Sequence, residues 1–566
     1  MLIGKLAAQG IAIGSALVVK NQIDLSNYKV GNIEKEISSF EKAVQKYTKL
    51  MNQKFERVKK LYGDSQAEIL QARLVILSDP FVKDEIVMQI KQGVSCTVAV
   101  QSVLGGFEQM LSNSGDELTA QRAADVREVI DGLLYILVDG PQLDFDNLSQ
   151  NTILVSHEVS ASTLADIGDN KFVVGIVSKM GGYTSHCAIM ARAMGLPAVL
   201  NIDTDVILNG SSLIVDGDKG LVIIDPTKNQ IKQYQADLDK QNDQKKKLEK
   251  FVDKQTVLKS GEKRHIFCNI GDSQDALKAQ SQGGEGIGLF RTEFLYMQHN
   301  SLPSEDSQFE AYKRASANIK GKPLVVRTLD IGGDKDIPYL KLPKEENPFL
   351  GHRAIRYCLA REDVFEPQIL AILRASAFGD IRIMLPMISD LMEIRQAKQI
   401  IERCKSKLEK QKIAFDADIK VGIMTETASS CLIADILATE VDFFSIGTND
   451  LTQYIMSADR GNTLVSSLCS VFQPAVLRAI KQIIFSAKQA KIEVAMCGEA
   501  ASNIALLPLL LSWGLDEFSV SSNMVLSMRE AISKWTKKEA DGVDAKCSTM
   551  STHIEVENYL KSQVKN

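Results

Sequence analysis

His186 is the residue whose sequence surroundings most clearly suggest chemistry. An apolar, strand-like run at residues 172–177 precedes two glycines at 181–182, and Thr184 or Ser185 can cap a helix that begins near His186. The glycines allow the backbone to approach an anion closely, and the first N–H groups of a helix favour negative charge. A histidine at this position is placed to carry a phosphoryl group, although a single histidine at a helix start is more often structural.

A second set of reactive side chains follows short apolar runs in the second half of the chain. Its members are Arg291, Arg327, Arg353, Glu426, Asn449, Asp450, Arg460 and Cys497. Guanidinium groups suit phosphate and carboxylate oxygens. Glu426 and Asp450 suit Mg²⁺ that takes its remaining ligands from water and a phosphorylated substrate. Together these groups fit phosphoenolpyruvate, which carries a carboxylate beside a phosphate. Taken singly, each arginine could form a structural ion pair, and Cys497 could be a small buried residue.

The apolar runs that position this set alternate with helical segments. They lie at residues 265–270, 286–290, 324–328, 381–387, 419–424, 443–446, 494–496 and 517–520. About eight such runs with intervening helices predict a (β/α)₈ barrel, and an open doubly wound sheet is the alternative. The barrel is favoured because the reactive residues follow the ends of successive strands, where barrel enzymes keep their active sites.

The first half of the chain changes pattern twice. Strand-like patterns in residues 1–30 and 145–226 predict one α/β domain, and residues 31–144 carry helical periodicity throughout, which predicts a helical bundle inserted into that domain. Residues 227–258 are rich in charged helix formers and predict a connecting helix. Residues 259–566 form the predicted barrel domain, so the expected fold class is multidomain α/β.

Composition excludes several classes of protein. The chain has 566 residues, a net charge of -5 and 24% charged residues, which argues against a nucleic-acid partner. It has no apolar stretch long enough to cross a membrane, and residues 1–17 lack the pattern of a secretory signal. Nine scattered cysteines without a Cys-x-x-Cys pair fit a reducing compartment. A cytoplasmic location without membrane insertion is therefore expected.

Several motifs carry a family resemblance. They are Gly-Gly-Tyr-Thr-Ser-His-Cys-Ala-Ile-Met-Ala-Arg at 181–192, Gly-Leu-Phe-Arg-Thr-Glu-Phe-Leu at 288–295, Val-Arg-Thr-Leu-Asp-Ile-Gly-Gly-Asp-Lys at 326–335, Glu-Glu-Asn-Pro-Phe-Leu-Gly-His-Arg-Ala-Ile-Arg at 345–356, Phe-Phe-Ser-Ile-Gly-Thr-Asn-Asp-Leu-Thr-Gln-Tyr at 443–454 and Met-Cys-Gly-Glu at 496–499. Over nearly the whole chain the sequence resembles the Enzyme I family of the bacterial phosphotransferase system. The first motif is also similar to the swivelling domains of pyruvate phosphate dikinase and phosphoenolpyruvate synthase.

The Enzyme I resemblance implies a role for each matching residue. His186 would accept the phosphoryl group, Cys497 would give a proton to the enolate carbon, and Glu426 and Asp450 would bind Mg²⁺. The implied phosphoenolpyruvate contacts are Arg291, Arg327, Lys335, Arg353, Asn449, Asp450 and Arg460. The family also implies a swivelling histidine domain, a helical insert that binds the histidine phosphocarrier HPr, and a homodimer formed through the barrel domain. The implied reaction passes phosphate from phosphoenolpyruvate to His186 and then to HPr, as the first step of sugar uptake.

A few positions depart from the family pattern. The family often has Arg at the position of Tyr183, Pro at that of Ala428, and Trp or Tyr at that of His352, and the acidic patch at residues 64–68 has few carboxylates. These departures leave a second hypothesis open, in which the chain is a regulatory paralogue that binds phosphoenolpyruvate or an HPr-like protein without passing phosphate on. A dikinase or phosphoenolpyruvate synthase fragment is a third hypothesis, disfavoured because an insert of about 110 residues is short for a two-lobed nucleotide domain.

Overall fold

Two units make up the described part of the chain, residues 1–243 and residues 244–566. The computed structural model describes residues 1–19, 28, 30–62, 73–74, 76–77, 79–112, 117–138, 148–159, 163–164, 167, 170–181, 186–297, 301–332, 337–340, 342, 345–460, 462 and 464–565. None of the helices within these ranges combines the length and apolar character that a bilayer-crossing segment requires.

An eight-stranded mixed sheet is the centre of the first unit. Its strands are β1 (Leu2–Ile3), β2 (Lys5–Ala8), β3 (Ile11–Val19), β4 (Thr152–Ser156), β5 (Val173–Ser178), β6 (Ala198–Leu200), β7 (Ser212–Asp216) and β8 (Leu221–Ile224), in the order β1-β8-β7-β3-β4-β5-β6-β2. Successive side chains of a strand point to opposite faces. On β4, Leu154 therefore joins one apolar cluster, and Ile153 and Val155 join another. Both faces of the sheet are thus covered by apolar clusters.

A helical bundle is inserted between two paired strands of this sheet. Its helices are α1 (Ile33–Tyr62), α2 (Pro80–Lys91), α3 (Cys96–Ser112) and α4 (Glu117–Leu137). They bury a common apolar core that includes Phe40 on α1, Leu104 on α3 and Leu133 on α4. The strands on either side of the insertion, β3 and β4, run parallel with Ala16 opposite Ile153. The predicted helical insert in an α/β sheet is confirmed. Two further helices follow, α5 (His186–Met194) and α6 (Lys228–Glu249).

The second unit is a closed barrel of eight parallel strands. They are β9 (His265–Ile270), β10 (Ile287–Arg291), β11 (Leu324–Arg327), β12 (Ile381–Leu385), β13 (Val421–Thr425), β14 (Phe443–Ile446), β15 (Glu493–Met496) and β16 (Glu517–Val520). Each strand pairs with its successor, and β16 pairs with β9 from His265 to Cys268. The predicted (β/α)₈ barrel is therefore confirmed, and the open sheet is wrong.

Helices pack on the outside of this barrel. They are α7 (Ser273–Ser281), α8 (Glu293–Met297), α9 (Glu305–Asn318), α10 (Ile355–Ala360), α11 (Glu362–Ser376), α12 (Leu391–Gln411), α13 (Ala428–Leu432), α14 (Ala434–Leu437), α15 (Thr448–Met456), α16 (Pro474–Ala490), α17 (Leu507–Trp513), α18 (Val525–Ser533), α19 (Lys537–Cys547) and α20 (His553–Ser562). Outward-facing strand residues, such as Leu324 and Val326 of β11, pack in the cluster that these helices share. The alternate residue Val325 belongs to a separate interior layer, with Leu289, Met384, Met424, Phe443 and Cys497. This layer fills the barrel, as branched and bulky side chains do in this fold.

Candidate active site

His186 is the first residue of helix α5, so the helix begins where the sequence predicts. Strand β5 ends eight residues earlier at Ser178, and Gly181 adopts φ +123°, a conformation that glycine reaches without a Cβ clash. The helix is anchored just after its start, because Cys187 and Ala188 are buried against the sheet. Arg192 Nη1 also donates to the Ala7 carbonyl at 2.8 Å. The candidate caps at 184–185 lie outside the described residues.

Arg327, the last residue of β11, is buried in a shell of carboxylates. Its Nη2 donates to Glu293 Oε1 at 2.7 Å, and its Nη1 lies 2.9 Å from Asp330 Oδ2. Burial lowers the pKa of Arg327, but the neighbouring negative charges of Asp330 and Glu293 outweigh it and raise the pKa above its ordinary value. The Nε group of Arg327 is buried without a hydrogen-bond partner among the described residues. Arg327 is therefore a fixed cation with a donor still available to an anion.

Arg353 is a second buried cation in the same network. Its Nη2 donates to Asp330 Oδ1 at 3.0 Å and lies 3.7 Å from Asp450 Oδ2, while Nη1 donates to Tyr454 Oη at 3.4 Å. On the other side of Asp450, Arg460 Nη2 lies 3.6 Å from Oδ1. The three sequence-predicted residues Arg353, Asp450 and Arg460 are thus brought together, although they span more than a hundred positions.

Glu426, which directly follows β13, is almost completely buried. Its Oε1 accepts the Met387 amide at 2.7 Å, and Met387 itself has φ +58°, an uncommon conformation for a non-glycine residue. Burial, followed by the negative charges of Asp450 and Asp330, raises the pKa of the Glu426 carboxyl. The Met387 amide therefore orients the Glu426 carboxylate near that of Asp450, and the neighbouring positive charges do not fully compensate the two negative charges.

Cys497 follows β15 and lies in the interior layer below these charges. Its amide donates to the Ile446 carbonyl at 3.1 Å, and Asn269 Nδ2 donates to the Cys497 carbonyl at 3.0 Å, so its backbone is fixed on both sides. Burial raises the pKa of the Cys497 thiol to about 11. The group is consequently protonated at neutral pH, as a proton donor must be. Asn449 is held nearby on α15 by Glu499, which accepts from its Nδ2 at 3.3 Å.

Arg291 ends β10 opposite Arg327 in the parallel register, and its side chain is exposed. Its positive charge acts on the Cys497 thiol, which places it at the same end of the barrel.

Lys335, the remaining predicted contact, lies outside the described residues. The structure thus brings seven predicted substrate and metal residues and Cys497 to the carboxyl ends of the strands. His186 belongs to the other unit.

The carboxylates at this end of the barrel fit a magnesium ion. Asp450 Oδ1 is buried without a hydrogen-bond partner among the described residues, and Glu426 lies close enough for each charge to oppose the other. Hard carboxylate oxygens are the ligands that Mg²⁺ takes, together with water and substrate phosphate. Within the described ranges, no three or more His, Cys, Asp or Glu side chains form a metal-binding group. Two protein carboxylates would therefore leave several positions to substrate and water.

Comparisons with known proteins agree with this arrangement. The family model for the PEP-binding domain of PEP-utilising enzymes matches residues 245–537, and those for the N-terminal and mobile domains match residues 3–122 and 148–220. Phosphoenolpyruvate-protein phosphotransferase from Priestia megaterium is 41% identical over 99% of this chain and 98% of its own. The protein of that name from Bacillus subtilis (strain 168) is also 41% identical, over 99% of both chains, and that from Staphylococcus carnosus is 38% identical over 100% of this chain.

The chain belongs to the phosphoenolpyruvate-protein phosphotransferase family. Sequence reasoning did not assign a role to two residues in the site of this family member, Asp330 and Glu293. Both stand inside motifs that carry the family resemblance, Glu293 two residues after Arg291 and Asp330 three after Arg327. The signal that could have found them is the need of a buried arginine for a nearby carboxylate.

Proposed function

We propose that this chain transfers the phosphoryl group of phosphoenolpyruvate to its own His186, releases pyruvate, and then phosphorylates the histidine phosphocarrier HPr. This is the first step of sugar uptake by the phosphotransferase system. The observation that carries the proposal is the pair of buried, permanently charged arginines, Arg327 and Arg353, beside the carboxylates of Glu426 and Asp450 at the carboxyl end of a barrel. Membership of the phosphotransferase family supports the same reaction.

The arginines would bind the two anionic groups of the substrate. Arg291 is exposed at the strand end beside Arg327, so it can meet the incoming phosphate, and Arg327 keeps a buried Nε donor for it. Among the described residues the Nε of Arg353 likewise has no hydrogen-bond partner, and Arg460 and Asn449 add donors. Lys335 would be a further contact, on family resemblance alone. Fixed donors of this kind stabilise the charge that spreads over the phosphoryl oxygens during transfer.

Glu426 and Asp450 would hold Mg²⁺ together with oxygens of the substrate. When bound, the ion would neutralise charge on the phosphate and carboxylate. The chain's own contribution is orientation, since the Met387 amide fixes Glu426 at 2.7 Å and the two arginines lie on either side of Asp450.

The transfer step balances with residues that this chain supplies. A ring nitrogen of His186 attacks phosphorus, the N–P bond forms, and the bond between phosphorus and the enol oxygen breaks with its electron pair on oxygen. The resulting enolate takes a proton at carbon from the Cys497 thiol, which gives pyruvate. Because burial keeps the pKa of this thiol at about 11, the proton is present when the enolate forms.

Partners and assembly complete the proposal. HPr would bind on the helical insert, residues 31–144, and two copies of the chain would associate through the barrel domain, residues 259–566. The α/β domain that carries His186, residues 1–30 and 145–226, would swivel between the barrel and the insert-bound HPr, because both need the same imidazole. Reaction would take place in the cytoplasm, and the family's known use of a metal supports the requirement for Mg²⁺.

A steady-state assay tests the proposal. The full chain with phosphoenolpyruvate, Mg²⁺ and HPr should form pyruvate and phosphorylated HPr in equal amounts, and chelation of the metal should stop both. Arg291→Ala should lower the rate by about 10²-fold or more. Arg395→Ala is the matched control, because that arginine pairs with Glu440 on the outer surface. Binding of phosphoenolpyruvate without phosphate reaching HPr would instead favour the regulatory paralogue.

A further inference from the structure

A cavity lies at the amino-terminal end of the barrel, at the opposite end from the proposed catalytic residues. Its volume is about 510 Å³, within the range of small-molecule sites. Residues that begin strands line it, including His265 of β9, Phe443 of β14 and Glu517 of β16. Val325 and Phe443 also belong to the interior layer of the barrel, and Arg327 follows Val325 by two residues along β11. The layer thus separates this cavity from the catalytic end.

Glu517 provides an unusual polar group in this cavity. Its Oε1 is buried and has no hydrogen-bond partner among the described residues. Gly288 on β10 leaves the space that it occupies, since a Cβ at that position would lie 2.3 Å from Oε1. Burial raises the pKa of Glu517 to about 8, so the carboxyl is mostly protonated at pH 7 and offers an O–H donor. A buried polar atom without a partner costs free energy unless something else satisfies it.

Basic side chains, with histidine included, outnumber acidic ones in the lining of the cavity. Arg382 Nη1 donates to Glu493 at 2.8 Å, and His265 Nδ1 lies 3.0 Å from Glu285. Lys488 pairs with Asp516. The remaining two lysines that line the cavity are Lys263 and Lys491. In the part of the chain that the structure describes, neither of these two lysines has a carboxylate within ion-pair distance.

We propose that this cavity is a binding site for a small organic anion that carries carboxylate or phosphate groups. Lys263 and Lys491 pair with its charge, and Glu517 donates to one of its oxygens inside the barrel. Arg382 has five N–H donors, of which the described contacts with Asp380 and Glu493 use three, so it can also contribute. The site is independent of the proposed catalytic reaction. Because a layer of side chains lies between the two ends of the barrel, an anion bound in this cavity does not displace phosphoenolpyruvate from the catalytic end.

Calorimetric titration of the full chain tests this site, with inorganic phosphate and succinate as two separate probes in a chloride buffer. At least one probe should bind in a 1:1 ratio, and the tighter one identifies the preferred group. The double variant Lys263→Gln, Lys491→Gln should weaken binding by about tenfold or more, since it removes two charges from a partly desolvated site. Lys410→Gln, an exposed change on α12, should leave binding unchanged.

Further variants test the role of Glu517 and show at which end of the barrel the probe binds. Glu517→Gln keeps a neutral donor and should retain binding, whereas Glu517→Leu removes it and should weaken binding. If Glu517→Leu does not fold, the lysine variant decides the matter alone. The proposal is overturned if neither probe binds, if the lysine variant binds as tightly as the unaltered chain, or if binding is lost in Arg291→Ala, Arg460→Ala instead, because that result places the anion at the catalytic end.

Discussion

Arg327 and Asp330 form a buried ion pair, with 2.9 Å between Nη1 and Oδ2. The other oxygen of Asp330 accepts from Arg353 Nη2 at 3.0 Å, so one carboxylate orients two guanidinium groups. All three side chains are at most 7% exposed. Asp330 thus acts as a positioning residue for the cations to which we assign substrate binding.

Asp330→Asn should destabilise the barrel unit by about 3–5 kcal/mol, because it leaves two buried cations without their shared charge. Urea unfolding followed by tryptophan fluorescence measures this, since both tryptophans, Trp513 and Trp535, lie in that unit. Asp363→Asn is the matched control: its pair with Arg361 is exposed and should contribute about 1 kcal/mol or less. Equal effects of the two changes would contradict the assigned role.

Cys497→Ala should slow pyruvate formation by about 10²–10⁴-fold, the usual contribution of a general acid. Phosphoenolpyruvate should still bind within about twofold of its normal affinity, because the thiol acts only after the phosphoryl group has left. Titration calorimetry and a pyruvate assay separate the two quantities. Cys404→Ala, at another buried thiol outside the barrel interior, should keep the normal rate. A normal rate in Cys497→Ala would exclude this proton donor.

The eight barrel strands were predictable because each is a short apolar run, and a parallel strand buried on both faces leaves that pattern. The candidate site residues were predictable for a related reason: Arg327 ends a strand, Glu426 directly follows one, and the carboxyl ends of the strands share one face of a barrel. Contacts between residues that are distant in the sequence were not predictable in this way. The Arg353–Asp330 pair spans 23 positions, and the Met387 amide reaches Glu426 across 39.

The burial of Glu517 was also not predictable from the sequence. In the sequence it only begins an apolar run. Its burial becomes visible only in the closed barrel, where Gly288 of β10, on the far side of β9 from β16, leaves room for its carboxyl group. The domain boundaries at 30, 145, 226 and 259 remain predictions, because changes in sequence pattern mark the neighbourhood of a boundary and not its residue.

Glu517→Gln should stabilise the barrel unit more at pH 8 than at pH 5. The folded-state pKa is about 8, above the ordinary 4.5, so folding binds a proton and stability falls as the pH rises from about 4.5 through 8. Burial is the main cause. Arg382 and His265 oppose the shift and Glu493 and Asp516 reinforce it. Tryptophan-monitored urea unfolding at both pH values measures the effect. The control is Glu409→Gln, an exposed change on α12, whose effect should be the same at both pH values. An effect of Glu517→Gln that does not change with pH would contradict the raised pKa of Glu517.

Gly132→Ala should loosen the helical insert, where α4 meets α1. A Cβ at Gly132 would lie 2.2 Å from the Tyr47 ring, and overpacking of this kind costs about 1–3 kcal/mol. In Gly105→Ala on α3, the new Cβ meets no atom of the described residues within 4 Å, so this change should instead stabilise its helix by up to about 1 kcal/mol. Hydrogen–deuterium exchange of α1 and α4 reports the difference. Faster exchange in the Gly105 variant than in the Gly132 variant would contradict this packing.

Labelling of the full chain with radioactive phosphoenolpyruvate and Mg²⁺ tests the central claim most directly. We expect one phosphoryl group per chain, labile in acid and stable in base, as a phosphoramidate bond to histidine is. His186→Ala should abolish the label, and His553→Ala, at the start of the outer helix α20, should retain it. Absence of label from the unaltered protein, or label that survives His186→Ala, would contradict transfer through His186.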